Sequence, residues 1–210
     1  MSRGSLLTPE QRARVRELGT PVALALGRLG LTPNALTVIG LAIAIVAAVL
    51  AASGAWIAAG CLVLGGAVFD LFDGALARAT GKAGPAGAFL DSVSDRAGEA
   101  LVFVGILAGA LAAGEDRAVL LAGAAMAAAF MVSYTRARAE GLGLSTGSGI
   151  ANVGLAPREI RIAILFAGLV AAGLADDPAP ALELSLGAIA LLATITAVQR
   201  TVHSLGAAGR

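Results

Sequence analysis

The chain has 210 residues, of which 58% are hydrophobic and 14% charged, and its mean hydropathy is +0.86. Soluble domains carry about 25% charged residues, so this composition excludes an ordinary soluble protein. The single cysteine, Cys61, excludes an intramolecular disulfide and a cysteine metal site, and we expect no nucleic-acid partner at a net charge of +1. We predict one integral membrane domain over residues 1–210, built from helices because no alternation of period two indicates a barrel.

The first predicted element is an amphipathic helix over residues 8–29. It combines apolar residues with the basic residues Arg12, Arg14, Arg16 and Arg28. Such a helix lies in the membrane interface, where anionic lipid attracts its basic side chains. A partly disordered tail is the alternative interpretation. The charged N-terminal stretch does not have the pattern of a cleavable signal peptide.

Six apolar segments follow, each close to the ~20 residues that a helix needs to cross a bilayer. Thr32 and Pro33 begin the first of them as a cap and a first-turn proline. The segments are 34–52, 55–79, 86–113, 118–140, 158–175 and 179–203. The predicted fold is therefore all-α, with a six-helix transmembrane bundle over 34–203 and an N-terminal interfacial helix.

The distribution of charge predicts how the bundle lies in the membrane. Six spans place both termini on one side, and of the 15 Lys and Arg residues only Arg117 falls on the other. The loops of that other side carry Glu115, Asp116, Asp176 and Asp177. By the positive-inside rule we expect a multi-pass protein of the cell membrane with cytoplasmic termini.

Four carboxylates stand at the ends of the second and third spans that face the cytoplasm in this topology. Asp70 and Asp73 share one helix face, as do Asp91 and Asp95, and a Gly/Pro-rich turn at 81–85 pairs the two helices. Oxygen ligands without His or Cys favour Mg²⁺ or Mn²⁺, and two such ions would suit displacement at phosphorus. An ion or proton pathway and a set of structural ion pairs are the alternatives. The pathway is less favoured because the far halves of the spans are apolar.

The spacing of this stretch resembles the signature D-x2-D-G-x2-A-R-x8-G-x3-D-x3-D of the CDP-alcohol phosphatidyltransferases. The residues that fit it are Asp70, Asp73, Gly74, Ala77, Arg78, Gly87, Asp91 and Asp95. The resemblance implies transfer of a phosphatidyl group from CDP-diacylglycerol to an alcohol with release of CMP. It also implies a membrane-embedded homodimer.

The same resemblance implies roles for individual residues. Asp70, Asp73 and Asp91 would bind two Mg²⁺ or Mn²⁺ ions. Asp95 would be the catalytic base, with a share in metal binding. The residues implied to contact the CDP-lipid are Gly74, Ala77 and Arg78, with Asn34 and Thr37 from a segment that resembles the family's TPNxxT.

Arginines of the fourth to sixth spans predict an acceptor that carries a phosphate, because a neutral alcohol needs no such cluster. The alternative is that they anchor the helices at lipid headgroups. The segment around Ser133 and Arg136 and the later arginines resemble the actinobacterial phosphatidylinositol phosphate synthases of this family. That resemblance implies that Ser133, Arg136, Arg158 and Arg200 hold the phosphate of inositol phosphate. Glycerol 3-phosphate, giving phosphatidylglycerophosphate, is the rival acceptor.

Overall fold

Seven helices make up the regular structure in the computed structural model, which describes residues 9–144, 150 and 153–208, with side chains from residue 19 onward. They are α1 (Pro9–Arg28), α2 (Pro33–Ala52), α3 (Trp56–Ala79), α4 (Pro85–Ala113), α5 (Asp116–Gly141), α6 (Arg158–Leu174) and α7 (Ala179–Ala208). No strand occurs within those described ranges. The all-α prediction is confirmed.

The predicted helix boundaries agree closely with the structure, except that α7 continues beyond its predicted end at residue 203 to Ala208. Local signals explain the agreement. The Thr32 hydroxyl accepts a hydrogen bond from the Ala35 N–H at 3.2 Å and caps α2. Gly54, Gly81 and Gly114 adopt positive φ at helix ends, where the left-handed conformation strongly favours glycine.

Among the described residues, five helices are long and apolar enough to cross a membrane: α2, α3, α4, α5 and α7. The protein is therefore an all-helical, multi-pass membrane protein. With 17 residues, α6 spans about 26 Å, slightly less than the ~30 Å hydrocarbon core. Six spans therefore stay a prediction, as does an interfacial α1, whose basic side chains at 12, 14 and 16 lie outside the described part. Gly27 of α1 packs against Leu76 of α3.

The six helices after α1 form a closed ring in which each contacts the next, in the order α2, α3, α6, α7, α5 and α4. Large apolar side chains fill its interior, among them the fully buried Phe103, Ile106, Leu169, Leu186 and Ile189. The ring brings helices that are distant in sequence into contact, so α6 lies beside α3. This arrangement decides which polar side chains meet at one end of the bundle.

Small residues allow α2 and α4 to approach closely. Gly105 lies against the backbone of Ala48, and Gly109 lies against the backbone of Ala51 and the ring of Trp56. In lipid such fits supply much of the helix association, because apolar tails give no hydrophobic driving force between helices. Since α2 and α4 carry candidate site residues at their ends, this contact also fixes the distance between those residues.

Replacing Gly105 by alanine is expected to destabilise the fold by about 1–3 kcal/mol, because the new Cβ would overlap the Ala48 carbonyl and force the helices apart. Thermal unfolding of the detergent-purified protein measures this effect. Gly123→Ala in α5 is the matched control, since a Cβ there meets no atom within 4 Å among the described residues. Equal unfolding temperatures for the two variants would contradict the close-packing explanation.

Candidate active site

A cavity with an empty volume of about 700 Å³, including its open mouth, lies between α2, α3, α4 and α6. Most of its wall is apolar. The polar and charged residues that line it are Thr37, Asp70, Ser94, Asp95, Glu99, Arg158 and Arg161. Two of the four predicted carboxylates therefore face the same space as one of the predicted acceptor arginines.

The guanidinium of Arg158 bridges two carboxylates. Its Nη2 lies 2.8 Å from Asp70 Oδ2, and its Nη1 lies 2.8 Å from Asp95 Oδ2. The three side chains are 15–29% exposed, so the charges are partly shielded from water. Both contacts are at the short distance typical of charge-assisted hydrogen bonds. Arg158 is the first residue of α6, and the packing of α6 on α3 brings it to Asp70.

Asp73 is buried and held from two directions. Its Oδ2 accepts a hydrogen bond from the Thr37 hydroxyl at 2.8 Å, and its Oδ1 accepts one from the Gly74 N–H. Thr37 was predicted to lie near the nucleotide. The structure shows that Thr37 contacts Asp73, a predicted metal ligand, and orients its carboxylate. The nucleotide contact of Thr37 stays a prediction.

The four carboxylates interact at one end of the ring. Asp91 is close enough to Asp70 for electrostatic repulsion, and Asp73 interacts in the same way with both. In the described part of the chain, however, no group of three or more His, Cys, Asp or Glu residues is arranged to hold a metal ion. The Arg158 guanidinium already occupies the place between Asp70 and Asp95.

The chemistry of this place fits a hard cation. All the candidate donors are carboxylate oxygens, the ligands that Mg²⁺ and Mn²⁺ prefer. Two of them already hold a positive group at 2.8 Å. The assignment of Asp70, Asp73, Asp91 and Asp95 as metal ligands remains a prediction.

Three of the residues predicted to contact the CDP-lipid, Gly74, Arg78 and Asn34, have neighbours that the structure identifies. A Cβ at Gly74 would come within 3.2 Å of Arg78 Nη1, so the exposed arginine folds back over the glycine, and Ala77 precedes it in the same helix. A Cβ at Gly87 would lie 3.6 Å from Asn34 Oδ1. The second contact joins the starts of α2 and α4. The contact of Asn34, Gly74, Ala77 and Arg78 with a nucleotide remains a prediction.

Arg96 links the carboxylates to Ser133. Its Nη2 lies 3.2 Å from Asp95 Oδ2, and its Nη1 donates to the Ser133 hydroxyl at 2.6 Å. Two predicted acceptor residues, Ser133 and Arg158, therefore belong to one network with Asp95. This connection crosses from α4 to α5.

The other two predicted acceptor arginines, Arg136 and Arg200, form hydrogen bonds outside this network. Arg136 pairs with Glu140 of its own helix at 2.9 Å and is exposed. Arg200 is buried and donates to the carbonyls of Val132 at 2.7 Å and Val153 at 3.0 Å. Arg200 is nevertheless close enough to Arg96, Arg136 and Arg161 to interact with them electrostatically. Four helices thus bring guanidinium groups together beside the carboxylates.

The Glu99–Arg161 pair at the cavity wall was not predicted from the sequence. Arg161 Nε and Nη2 lie 2.9 and 2.7 Å from Glu99 Oε1, and Arg161 is only 3% exposed. The sequence contains an indication that Glu99 lies near the site, because Glu99 stands four residues after Asp95 and so lies on the same helix face. The pair ties α6 to α4 next to the carboxylates.

Thr196 of α7 anchors the segment that leads into α6. Its hydroxyl accepts hydrogen bonds from the N–H groups of Leu155 at 3.0 Å and Ala156 at 2.9 Å, and the side chain is fully buried. Arg161 donates to the Ala156 carbonyl at 3.0 Å. These bonds fix the position at which α6 begins and therefore the backbone position of Arg158, its first residue.

Thr196→Val is expected to destabilise the protein by about 1–3 kcal/mol, because it keeps the shape but leaves two N–H groups without their acceptor. Thr196→Ser keeps the hydroxyl and should retain most of the stability. Thermal unfolding of both variants in detergent tests this expectation. If serine costs as much as valine, the methyl contact with Gly154, and not the hydroxyl, stabilises the segment.

The family model of the CDP-alcohol phosphatidyltransferases matches residues 30–201, which include all the residues of the candidate site. The chain belongs to this family. Its predicted enzyme class, a phosphatidyltransferase that releases CMP, is therefore confirmed in preference to an ion pathway. The match covers α2 to α6 and most of α7.

Individual relatives resemble the transferase over most of their length. The archaetidylinositol phosphate synthase of Pyrococcus horikoshii is 38% identical over 193 residues, which cover 92% of this chain and 94% of that protein. The phosphatidylinositol phosphate synthase of Mycobacterium tuberculosis with CDP-DAG bound superposes with a TM-score of 0.81 at 32% identity, covering 92% of this chain and 98% of that one. The same enzyme with manganese and citrate gives 0.81 at 33% identity, with 91% and 92% covered.

Proposed function

We propose that the transferase moves the phosphatidyl group of CDP-diacylglycerol onto inositol phosphate, giving phosphatidylinositol phosphate and CMP. The observation that carries the proposal is the meeting of carboxylates and arginines at one cavity, where Arg158 contacts Asp70 and Asp95. Such a site suits two substrates that both carry phosphate. The similar proteins are an archaetidylinositol phosphate synthase in P. horikoshii and a phosphatidylinositol phosphate synthase in M. tuberculosis, and the latter has been crystallised with CDP-DAG.

On the donor side, Asp70, Asp73 and Asp91, with a share from Asp95, would hold two Mg²⁺ or Mn²⁺ ions. Bound divalent ions neutralise the diphosphate and the negative charge that develops on the departing CMP. The manganese complex of the M. tuberculosis enzyme supports this requirement. Thr37 keeps the Asp73 carboxylate in a single orientation through its 2.8 Å hydrogen bond.

Asp95 would act as the general base. It takes the proton of the acceptor hydroxyl as that oxygen forms a bond to the lipid-bearing phosphorus. The bond from this phosphorus to the oxygen of CMP breaks, and CMP leaves with the electron pair. Asp95 suits the role because it lines the cavity and is partly shielded from water, with 15% of its side chain exposed.

On the acceptor side, Ser133, Arg136, Arg158 and Arg200 would hold the phosphate of inositol phosphate. The electrostatic proximity of Arg200 to Arg96, Arg136 and Arg161 supports an anion site at this end of the ring. A planar guanidinium can donate two parallel hydrogen bonds to a phosphate. The contacts of Arg96 with Ser133 and Asp95 support an acceptor site next to Asp95, the base proposed for the acceptor hydroxyl.

The proposal also includes the nucleotide contacts and the setting of the enzyme. Gly74, Ala77, Arg78, Asn34 and Thr37 would contact the CDP group. The transferase would have six spans, an interfacial α1 in contact with membrane lipid, and its termini and active site on the cytoplasmic side of the cell membrane. The proposal further includes two metal ions per active site and a homodimer, both implied by the family resemblance.

An acceptor panel tests this function by following CMP release from CDP-diacylglycerol. Inositol phosphate should support turnover at least about tenfold better than glycerol 3-phosphate, free inositol or serine. Free inositol and serine lack the phosphate that the arginines would bind, and the preference over glycerol 3-phosphate follows the relatives, which are an archaetidylinositol phosphate synthase and a phosphatidylinositol phosphate synthase. A preference for glycerol 3-phosphate would overturn the acceptor and favour phosphatidylglycerophosphate synthesis. An archaetidyl donor should be included, since the P. horikoshii relative is an archaetidylinositol phosphate synthase.

A further inference from the structure

Arg158 contacts Asp70 and Asp95, two carboxylates that the proposed function assigns to metal binding. Its two Nη atoms lie 2.8 Å from Asp70 Oδ2 and from Asp95 Oδ2. Arg158 donates a hydrogen bond to Asp70 and forms an ion pair with Asp95, so both carboxylates already face a positive charge. A divalent cation at the same place would be repelled by the guanidinium. Arg158 and a cation therefore compete for these two side chains.

The acceptor region lies within reach of the same arginine. Asp95 Oδ2, the oxygen that Arg158 holds, is also 3.2 Å from Arg96 Nη2, and Arg96 Nη1 is 2.6 Å from the Ser133 hydroxyl. The guanidinium of Arg96 thus connects Ser133 with Asp95. A phosphate bound near Ser133 would offer Arg158 a second partner close to its present one.

The backbone that carries Arg158 is held in place, so a change of partner involves its side chain alone. Thr196 accepts hydrogen bonds from the two N–H groups just before α6, and Arg161, paired with Glu99, donates to the Ala156 carbonyl. The Arg158 side chain is 29% exposed at the cavity, whereas Arg161 is 3% exposed and fixed. Of these two arginines of α6, Arg158 is the one with space to move.

We propose that Arg158 exchanges between the carboxylates of Asp70 and Asp95 and the phosphate of the acceptor, so that acceptor and divalent cation strengthen each other's binding. This proposal rests on the proposed function, since it takes inositol phosphate as the acceptor. Acceptor phosphate withdraws the guanidinium and frees two oxygens for the cation. By linkage, the cation raises the affinity for the acceptor by the same factor.

The test is the affinity of the detergent-purified full chain for Mn²⁺, measured from the electron paramagnetic resonance signal of free Mn²⁺ without CDP-lipid. In the wild-type protein, inositol phosphate should tighten Mn²⁺ binding about tenfold, within the range of usual coupling between sites. Arg158→Gln should bind Mn²⁺ more tightly than wild type when inositol phosphate is absent. Inositol phosphate, at concentrations shown by calorimetry to occupy the variant, should then change its Mn²⁺ affinity less than twofold.

Two further variants keep the test decisive. Arg138→Gln removes a positive charge from an exposed position near the end of α5 and should behave as wild type. Arg158→Lys keeps the charge and protects folding, but a compact ammonium lacks the fork that bridges two carboxylates, so its coupling should fall below half of the wild-type value.

Equal coupling in wild type and Arg158→Gln would overturn the exchange and leave simple attraction between acceptor and cation. Full coupling in Arg158→Lys would contradict the need for a bridging guanidinium. The proposed function fails separately, namely if the wild-type protein releases no CMP with inositol phosphate. If the protein releases CMP but inositol phosphate does not change its affinity for Mn²⁺, only the role proposed for Arg158 is wrong.

Discussion

Asp95→Asn is expected to lower CMP release by about 10²–10⁴-fold, the usual contribution of a general base. The amide keeps nearly the same shape and can still accept the hydrogen bond from Arg96, but it cannot take the proton of the acceptor hydroxyl. Because the change affects the chemical step, the CDP-lipid should bind with nearly unchanged affinity. Turnover with inositol phosphate and direct binding of the CDP-lipid together measure the effect.

Asp116→Asn provides the matched control for this prediction. It makes the same chemical change at an exposed position at the start of α5, the end opposite to Ser133, and should leave turnover unchanged. Thermal unfolding of both variants shows whether the fold survives the loss of a carboxylate that two arginines contact. Activity of Asp95→Asn within a few fold of wild type would assign the base to another group.

Removal of divalent cations with EDTA should lower turnover by about a thousandfold. The reason is electrostatic, since the diphosphate must approach a site that contains Asp70, Asp73, Asp91 and Asp95. Two like unit charges 4 Å apart repel by about 4 kcal/mol at an effective dielectric constant of 20, and each 1.36 kcal/mol corresponds to a factor of ten in rate. Arg158 pairs with Asp70 and Asp95, but its single positive charge cannot offset four carboxylates and a diphosphate.

Re-addition of Mg²⁺ or Mn²⁺ in excess over EDTA should restore the rate. EDTA saturated with Mg²⁺ beforehand is the control, because it adds the same chelator without removing the ion and should have no effect. CMP release that continues in EDTA at the untreated rate would show that the carboxylates work without metal. In that case they would be a purely structural ion-pair network, one of the alternatives that the sequence left open.

The helices were predictable because their signals are local. The length of each apolar run and the glycines and prolines between runs depend only on neighbouring residues, which explains why α2 and α3 agree with their predictions. The end of α7 was less predictable. Beyond residue 203 the apolar pattern weakens and Gly206 lowers the helix propensity, yet α7 continues to Ala208.

The site was predictable in part. The i, i+3 and i, i+4 spacings placed Asp70 with Asp73 and Asp91 with Asp95, because helical geometry fixes which residues share a face. The partner of Asp70 was not predictable in this way. It is Arg158, 88 residues away, which the resemblance had assigned to acceptor phosphate. The Thr37–Asp73 contact likewise joins two helices across 36 residues.

The sequence by itself determined that this protein is a helical membrane enzyme with a carboxylate stretch from Asp70 to Asp95 of the CDP-alcohol phosphatidyltransferase pattern. Composition, run length and motif spacing suffice for that, since each is a property of short segments. Only the tertiary structure decided that Arg158 pairs with Asp70 and Asp95. The order of helices in the ring sets α6 against α3, and the bonds of Thr196 and Arg161 fix where α6 begins. Pairing between distant charges depends on this packing and on no local pattern.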